Sequence, residues 1–266
     1  MEELWPTWLE STVLWWDRAG VPQVAAGPWP TWVPASPVHA VTAWNPQGID
    51  LDDEENDRRH GELVRWLLDR VGPPFHPADG ADGDADDDEG WGDDEGWGEG
   101  PEADGPAPIE GWWPAAGAGM APGPPELGVI VAGLGLDEAR ALGAAFDQLA
   151  IYQLTFDHQE VVACDGSARG RREARWRDAP WDAGSWITAE VVGTWWDRHA
   201  RALRAHGVGV APAARCPRCG GGDVAWIAYG LRVEPGPPWL DTGGCIVVDD
   251  QPDRSCRTCG AAWPEA

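Results

Sequence analysis

Cys216-Pro217-Arg218-Cys219-Gly220 and Cys256-Arg257-Thr258-Cys259-Gly260 are two C-x-x-C-G units near the end of this chain. A two-residue gap lets one tight turn aim both thiolates at one point. Two such turns supply the four sulfur ligands that a structural Zn²⁺ takes in a tetrahedron. Glycine after the second cysteine accepts a positive φ without steric cost, so the chain can turn away from the metal. Cys216, Cys219, Cys256 and Cys259 are therefore the expected ligands of a structural zinc ion, in a zinc-ribbon-like domain over residues 211–266. The stretch between the units is long for such a site and holds two β-rich runs, Val224–Tyr229 and Gly244–Val248, parted by Gly236-Pro237-Pro238. A ribbon with an extended central loop is expected. Four thiolates leave no open coordination position, so the metal is expected to be structural rather than catalytic.

Disulfides are the competing use of these cysteines. The N-terminal MEELWPTWLE is acidic and lacks the basic and apolar regions of a secretory signal. No apolar run approaches the roughly 20 residues that span a membrane. A cytoplasmic, reducing compartment is expected, and disulfides seldom persist there. Cys164 and Cys245 read as small buried residues, although Cys245, in a Gly-Gly-Cys turn beside a strand, is also open to a place near the metal.

The 266 residues have room for two modest domains. The net charge of −26 is very uneven: residues 79–104 hold thirteen of the 45 acidic side chains and no basic one. Within them Asp87-Asp88-Glu89-Gly90-Trp91-Gly92 is repeated as Asp93-Asp94-Glu95-Gly96-Trp97-Gly98. Such a segment buries too little apolar surface to offset its ordering entropy, so a disordered acidic insertion is expected. Its spaced tryptophans also suit a docking peptide. All 19 basic residues are arginine, and Ala, Gly, Pro, Asp and Trp abound. This is the composition of a GC-rich bacterial genome, and most of the 20 tryptophans read as core anchors.

Ahead of the ribbon, strands are expected over 11–16, 21–26 and 38–44. Asn45-Pro46 disfavours helix and suits a turn. A helix then begins at an Asp52 cap with Glu55 three residues on, and Glu54 and Glu55 precede Arg58 and Arg59 by four. Its apolar stripe is Leu63, Val64, Leu67, Leu68 and Val71, and Gly72-Pro73-Pro74 ends it. A strand over 127–131, a helix capped by Asp137, and a strand pair over 150–156 and 160–164 follow. Strands and helices in this order predict an α+β domain over residues 7–165, a mostly antiparallel sheet with helices on one face. Residues 166–210 read as an Arg-rich connector and a helix from a Thr188 cap to Gly207, with Val192, Trp195, Trp196, His199 and Leu203 as its stripe. Arg198, Arg201 and Arg204 suit its C-terminal dipole.

The run Thr42-Ala43-Trp44-Asn45-Pro46, then Asn56, then Phe146-Asp147-Gln148-Leu149-Ala150-Ile151 resembles a bacterial family known as domain of unknown function 3293. That family usually shows Gly-Gln-Asp where this chain has Asp147-Gln148-Leu149. The resemblance spans residues 7–165 and implies no activity. The C-terminal part, with Tyr229-Gly230 and Gly243-Gly244-Cys245, resembles small bacterial zinc-ribbon-like domains.

Asn45, Asn56, His60 and Gln148 are the candidate ligand-binding residues, since Asn45 ends a strand and Asn56 lies early in the next helix; Asp157 and His158 are further polar residues of note. Backbone capping is the structural alternative for the amides. His158 and Cys164 lack a third orienting group, and no phosphate loop, Ser-x-x-Lys or His-Glu-x-x-His occurs, so no catalytic residue is assigned. Three functions compete. The leading expectation is a zinc-ribbon binding or adaptor protein that recognises a protein partner. The second is an enzyme or small-molecule binder in the α+β domain. The third is nucleic-acid binding through Arg169, Arg171, Arg172, Arg175 and Arg177. From residue 211 on, five arginines face seven acidic residues, which argues against a nucleic-acid-binding ribbon. The acidic stretch 79–104 is the nearer expected partner of the arginine cluster.

Overall fold

The computed structural model describes residues 11–16, 22–24, 37–45, 49–74, 109–118, 125–155, 158–173, 187–229, 239–245 and 251–264. Eight strands form one sheet, every pair antiparallel. In chain order they are β1 (Thr12–Trp16), β2 (Pro22–Val24), β3 (Val38–Thr42), β4 (Gly111–Ala118), β5 (Glu126–Ala132), β6 (Ala150–Leu154), β7 (His158–Ala163) and β8 (Arg169–Glu173). Their order across the sheet is β2-β1-β4-β5-β3-β6-β7-β8. Among the described residues three helices, α1 (Asp53–Arg70), α2 (Leu136–Ala145) and α3 (Ala189–Ala205), pack on one face. The expected α+β class therefore holds.

Residues paired across an antiparallel ladder point to the same face. On the helix side, Trp112 pairs with Val131 and Ala116 with Leu127. Leu63, Val64 and Leu67 of α1, Ala139 and Leu142 of α2, and Leu203 of α3 close over Val41, Trp112, Val129 and Val131. Farther along, Val192, Trp195 and Trp196 of α3 meet Leu14, Trp16 and Trp44. On the opposite side Val13, Trp15, Val38, Trp113, Ile130 and Leu154 form a second buried cluster.

The C-terminal module has its own four-stranded sheet, of order β10-β9-β11-β12, from β9 (Val224–Ala228), β10 (Leu240–Thr242), β11 (Arg254–Cys256) and β12 (Ala262–Trp263). It is not a free appendage. Trp239 joins the α3 core and Trp226 packs against it. Trp196 donates its indole N–H to the Ala211 carbonyl at 2.9 Å, and Arg215 reaches Asp197 at 3.1 Å. Most of the second β-rich run, residues 246–248, lies outside those described; Gly244 and Cys245 are not in a strand, and pairing to β9 is made just ahead of them by Leu240–Thr242. Cys245 is exposed rather than buried, while Cys164 is partly buried against the helix layer, which pushes its thiol up to about 11.

Local signals explain most element boundaries. Asp52 accepts the Glu55 N–H at 2.9 Å, three acidic residues line the first turn of α1, and Gly72 at φ 98° follows the helix. Thr188 accepts the Val191 N–H at 3.3 Å, and Gly207 at φ 81° ends α3. Arg58 pairs with Glu55 and Glu62 on the surface, but Arg59 turns inward to the Ala43 and Phe146 carbonyls instead of pairing with Glu55. The cap of α2 is Gly135, not Asp137; Glu138 accepts the Gly135 N–H at 2.9 Å.

Two strands run where none was expected. β8 extends the sheet inside the stretch read as a connector. β4 is central, although Gly-Trp-Trp-Pro-Ala-Ala-Gly-Ala has weak strand propensity and a proline. The β1 ladder on β4 begins at Ala115, so Pro114 stands just outside it.

His60 of α1 and His199 of α3 meet in this layer, Nε2 to Nδ1, at 2.9 Å. One nitrogen must donate and the other accept, so at least one ring is neutral, and burial disfavours a charge on either. Burial drives the His60 pKa down to about 4 and holds that of His199 well below its usual value, the neighbouring imidazole adding to the effect on His199. A base whose folded pKa is depressed contributes stability that is complete above its unfolded pKa of about 6.5 and is lost as pH falls toward the folded value. Thermal denaturation across pH 7 to 4 is expected to show a loss, on the order of 3 kcal/mol for His60 alone, that His60→Gln flattens.

Candidate ligand cavity and metal centre

Small residues at facing positions open a cavity on the side of the large sheet opposite the described helices. Ala115 pairs with Gly128, Gly117 with Glu126, Thr42 with Gly128, and Ala40 with both Ile130 and Tyr152. Larger side chains at these sites would fill the face; with these, a cavity of about 240 Å³ remains. Glycine within a strand often marks such close approach. Gly128 is also held by its neighbours, because a Cβ there would press on the Val41 carbonyl.

The polar part of the wall comes from three segments. Asn45 follows β3, Asp50 precedes α1, and Gln148 precedes β6. Thr42, Glu126 and Tyr152 reach it from the sheet. Asn45 sits at φ 45° and Asp147 at φ 59°, the left-handed region that Asn and Asp tolerate best. Asn56, 2 % exposed, locks the first of these turns. Its Oδ1 accepts the Asn45 N–H at 3.0 Å, and its Nδ2 donates to Asn45 Oδ1 at 3.0 Å and to the Leu51 carbonyl at 3.2 Å. The Leu51 N–H also donates to Asn45 Oδ1, at 3.3 Å, while the Asn45 side chain hydrogen-bonds Glu126. Arg59 ties the Ala43 carbonyl (2.9 Å) to the Phe146 carbonyl (2.7 Å). Gln148 Nε2 donates to the Trp44 carbonyl at 3.0 Å and to that of Phe146 at 3.3 Å.

Burial raises the Glu126 pKa, and the Asp50 charge adds to the rise while the Asn45 hydrogen bond opposes it. Burial likewise raises the Tyr152 phenol, with Ser11 hydrogen-bonded to it and the Glu126 charge nearby.

Of the candidates read from the sequence, Asn45, Asn56 and Gln148 are brought together. Asn45 and Gln148 line the cavity and Asn56 positions Asn45. His60 is not part of the group; it lies in the helix layer, against His199. His158 hydrogen-bonds Thr155 at one end of β7, while Cys164 follows the other end, so the two do not meet. Arg169 and Arg171 flank Glu160, at 3.5 and 3.9 Å. Asp157, Arg175, Arg177, the Arg172 side chain and residues 79–104 lie outside the described part. Sequence reasoning missed Glu126, which sits one residue before the expected strand, along with Asp50 and Tyr152. The signal that could have found them is Gly128 in a strong β run. Gly128→Ala is expected to destabilise the protein by about 1–3 kcal/mol in denaturant titration, because a methyl there has no room.

In the C-terminal module, one ligand atom from each of Cys216, Cys219, Cys256 and Cys259 lies within 4.8 Å of the others. Two sulfur pairs, Cys216–Cys259 and Cys219–Cys256, are each 3.6 Å apart. That is too far for a disulfide, and close to the roughly 3.8 Å edge of a tetrahedron with 2.3 Å Zn–S bonds. The two knuckles match. Gly220 and Gly260 have φ of 73° and 70°, and their N–H groups return to the Cys216 and Cys256 carbonyls at 2.9 and 2.7 Å. For Cys216, burial opposes ionisation, but the Cys219 and Arg218 amides and the neighbouring thiols outweigh it and bring the pKa down to about 6. For Cys219 the Gly221 amide favours the thiolate, yet the adjacent sulfurs and burial push it up to about 12. Crowded sulfurs that cannot all ionise without a cation fit a metal such as zinc. Metal analysis of the purified chain is expected to give one zinc per molecule. Cys256→Ser is expected to weaken zinc affinity by more than about 100-fold in chelator competition.

A family profile described as "Protein of unknown function (DUF3293)" matches residues 41–97. No curated protein and no solved structure matches the chain. Among the described residues, no helix is long and apolar enough to cross a membrane.

Proposed function

We propose that this protein binds a small molecule in the cavity on the face of the large sheet opposite the described helices, and that its C-terminal module is a zinc ribbon whose metal is structural. The observation that carries this reading is the cavity itself: about 240 Å³, floored by glycine and alanine and rimmed by Thr42, Asn45, Asp50, Glu126, Gln148 and Tyr152. Concave sites with a few convergent polar groups are the usual places for ligands, and one somewhat below 300 Å³ suits a molecule of amino-acid or nucleobase size. The pinned loops support it as well. Asn56 and Arg59 hold Asn45 and Gln148 in place, which is the preorganisation a binding site needs. The ribbon packs into the α3 core through Trp226 and Trp239, which suits a structural metal.

A protein-recognition role for the ribbon is the second reading. Arg218, Cys219 and Gly220 of the first knuckle are exposed, which favours it. Nucleic-acid binding has less in its favour, since Arg169 and Arg171 flank Glu160.

Gly117 provides the test. A Cβ there would meet only the Glu126 carbonyl, at 4.0 Å, so Gly117→Leu can fill the cavity without backbone strain. Saturation-transfer NMR of a fragment set against the zinc-loaded chain is expected to find binders that lose their signal in Gly117→Leu. Binders indifferent to that change would sink the proposal. A protein partner lost in Arg218→Glu but kept in Gly117→Leu would favour the second reading.

A further inference from the structure

The hydrogen-bonding capacity left over in the cavity wall identifies the ligand's chemistry. Thr42 spends its hydroxyl proton on the Leu127 carbonyl at 2.7 Å and accepts the Trp44 N–H at 3.0 Å. Gln148 directs its amide nitrogen at two carbonyls, so its remaining capacity is the acceptor Oε1. Asn45 Oδ1 already accepts from Asn56 and Leu51, which leaves the Asn45 amide nitrogen as its donor to Glu126. The Tyr152 hydroxyl is engaged with Ser11. What remains is chiefly acceptor: the carboxylates of Glu126 and Asp50, and Gln148 Oε1. Among the described lining residues there is no Arg, Lys or His.

We propose that the ligand of this cavity is a small organic cation, bearing an ammonium, amidinium or guanidinium group that Glu126 and Asp50 receive while its apolar body rests on the Ala115–Gly128 floor. The inference rests on the small-molecule reading above. An anionic ligand would face two carboxylates with no cation among the described lining residues to offset them, and a neutral acceptor would find few donors there. A cationic N–H donor meets charge-assisted acceptors in a partly desolvated site, where such bonds are strongest. The floor is apolar, with Val13, Ala40, Ala115 and Val161 around it, and suits a short aliphatic or flat aromatic body.

Benzamidine, benzamide and benzoate are near-isosteres that differ in charge and serve as probes against the full, zinc-loaded chain. Benzamidine is expected to bind at least about tenfold more tightly than benzamide, with benzoate weaker still, and Gly117→Leu is expected to abolish its binding. Glu126→Gln keeps the shape and an acceptor for Asn45, and is expected to remove the benzamidine preference; its thermal midpoint reports that the fold is intact. Benzamide or benzoate binding as tightly as benzamidine, in a manner sensitive to Gly117→Leu, overturns the cation class and leaves the cavity reading standing. A benzamidine preference unchanged by Glu126→Gln also overturns the assignment. If none of the three probes is sensitive to Gly117→Leu, the inference falls together with the cavity reading.

Discussion

The β4–β5 ladder, running from Gly111 opposite Ala132 to Gly117 opposite Glu126, serves two sides of the protein at once. On one side it offers Trp112, Ala116, Leu127 and Val131 to the helix layer. On the other it sets Trp113 against Ile130, and then Ala115 against Gly128 and Gly117 against Glu126. A slip of one residue would exchange the faces. Trp112 and Trp113, both fully buried, would then each meet the wrong layer, and the small residues that open the cavity would leave a void beneath the helices instead. The same register therefore specifies the core and makes the cavity.

Around this ladder, polar groups are handled in two different ways. At the end of the sheet, Asn45, Asn56, Arg59 and Gln148 form a network in which side-chain amides and a guanidinium bind loop carbonyls and N–H groups. Buried polar groups that are satisfied in this manner rigidify a structure. Inside the cavity the reverse holds. Burial raises the Glu126 pKa, the Asp50 charge adding to the rise while the Asn45 hydrogen bond opposes it, so its carboxylate is held in a less favourable setting than water. Local rules tend to be broken where function requires it, and the stability lost there is made up elsewhere. The two knuckles follow the same logic: four crowded sulfurs are unfavourable alone and become an asset once a metal gathers them.

The C-terminal module and the large sheet share a core. Trp226 and Trp239 pack with Trp16, Trp195 and Trp196, and Arg254 lies over Trp226 at 5.0 Å. Such large flat side chains bury much area per residue, and here they join the four-cysteine module to helix α3. Because α3 also carries His199 against His60 of α1, the ribbon, α3 and α1 form a continuous packed path on the helix side. The cavity lies on the other side of the sheet, apart from that path.

Local chemistry was legible in the chain itself. The C-x-x-C-G spacing specifies the knuckles because the turn and its thiolates lie within five residues. Asp52, Gly72, Thr188 and Gly207 mark helix ends because caps act over a single turn. The stripe of α3 was readable from its 3.6 period, and the antiparallel α+β class from the order of elements. The pairing of distant strands was not readable. β4 has the wrong propensity, and it becomes a central strand because β1 and β5 supply its ladders and its tryptophans fill both cores. Asn45, Asn56 and Gln148 could be picked out as polar residues near turns, but their meeting depends on how α1 and the α2–β6 turn fold back against the sheet end. Glu126, Asp50 and Tyr152 are far apart in sequence and share one cavity only through strand register, a long-range property. The sequence by itself determined the metal knuckles, the helix boundaries and the fold class, since these rest on interactions within a few residues. Only the tertiary structure decided where the cavity opens and which charges face into it, since those follow from strand register and from pairings such as Ala40 with Tyr152, far apart in the chain.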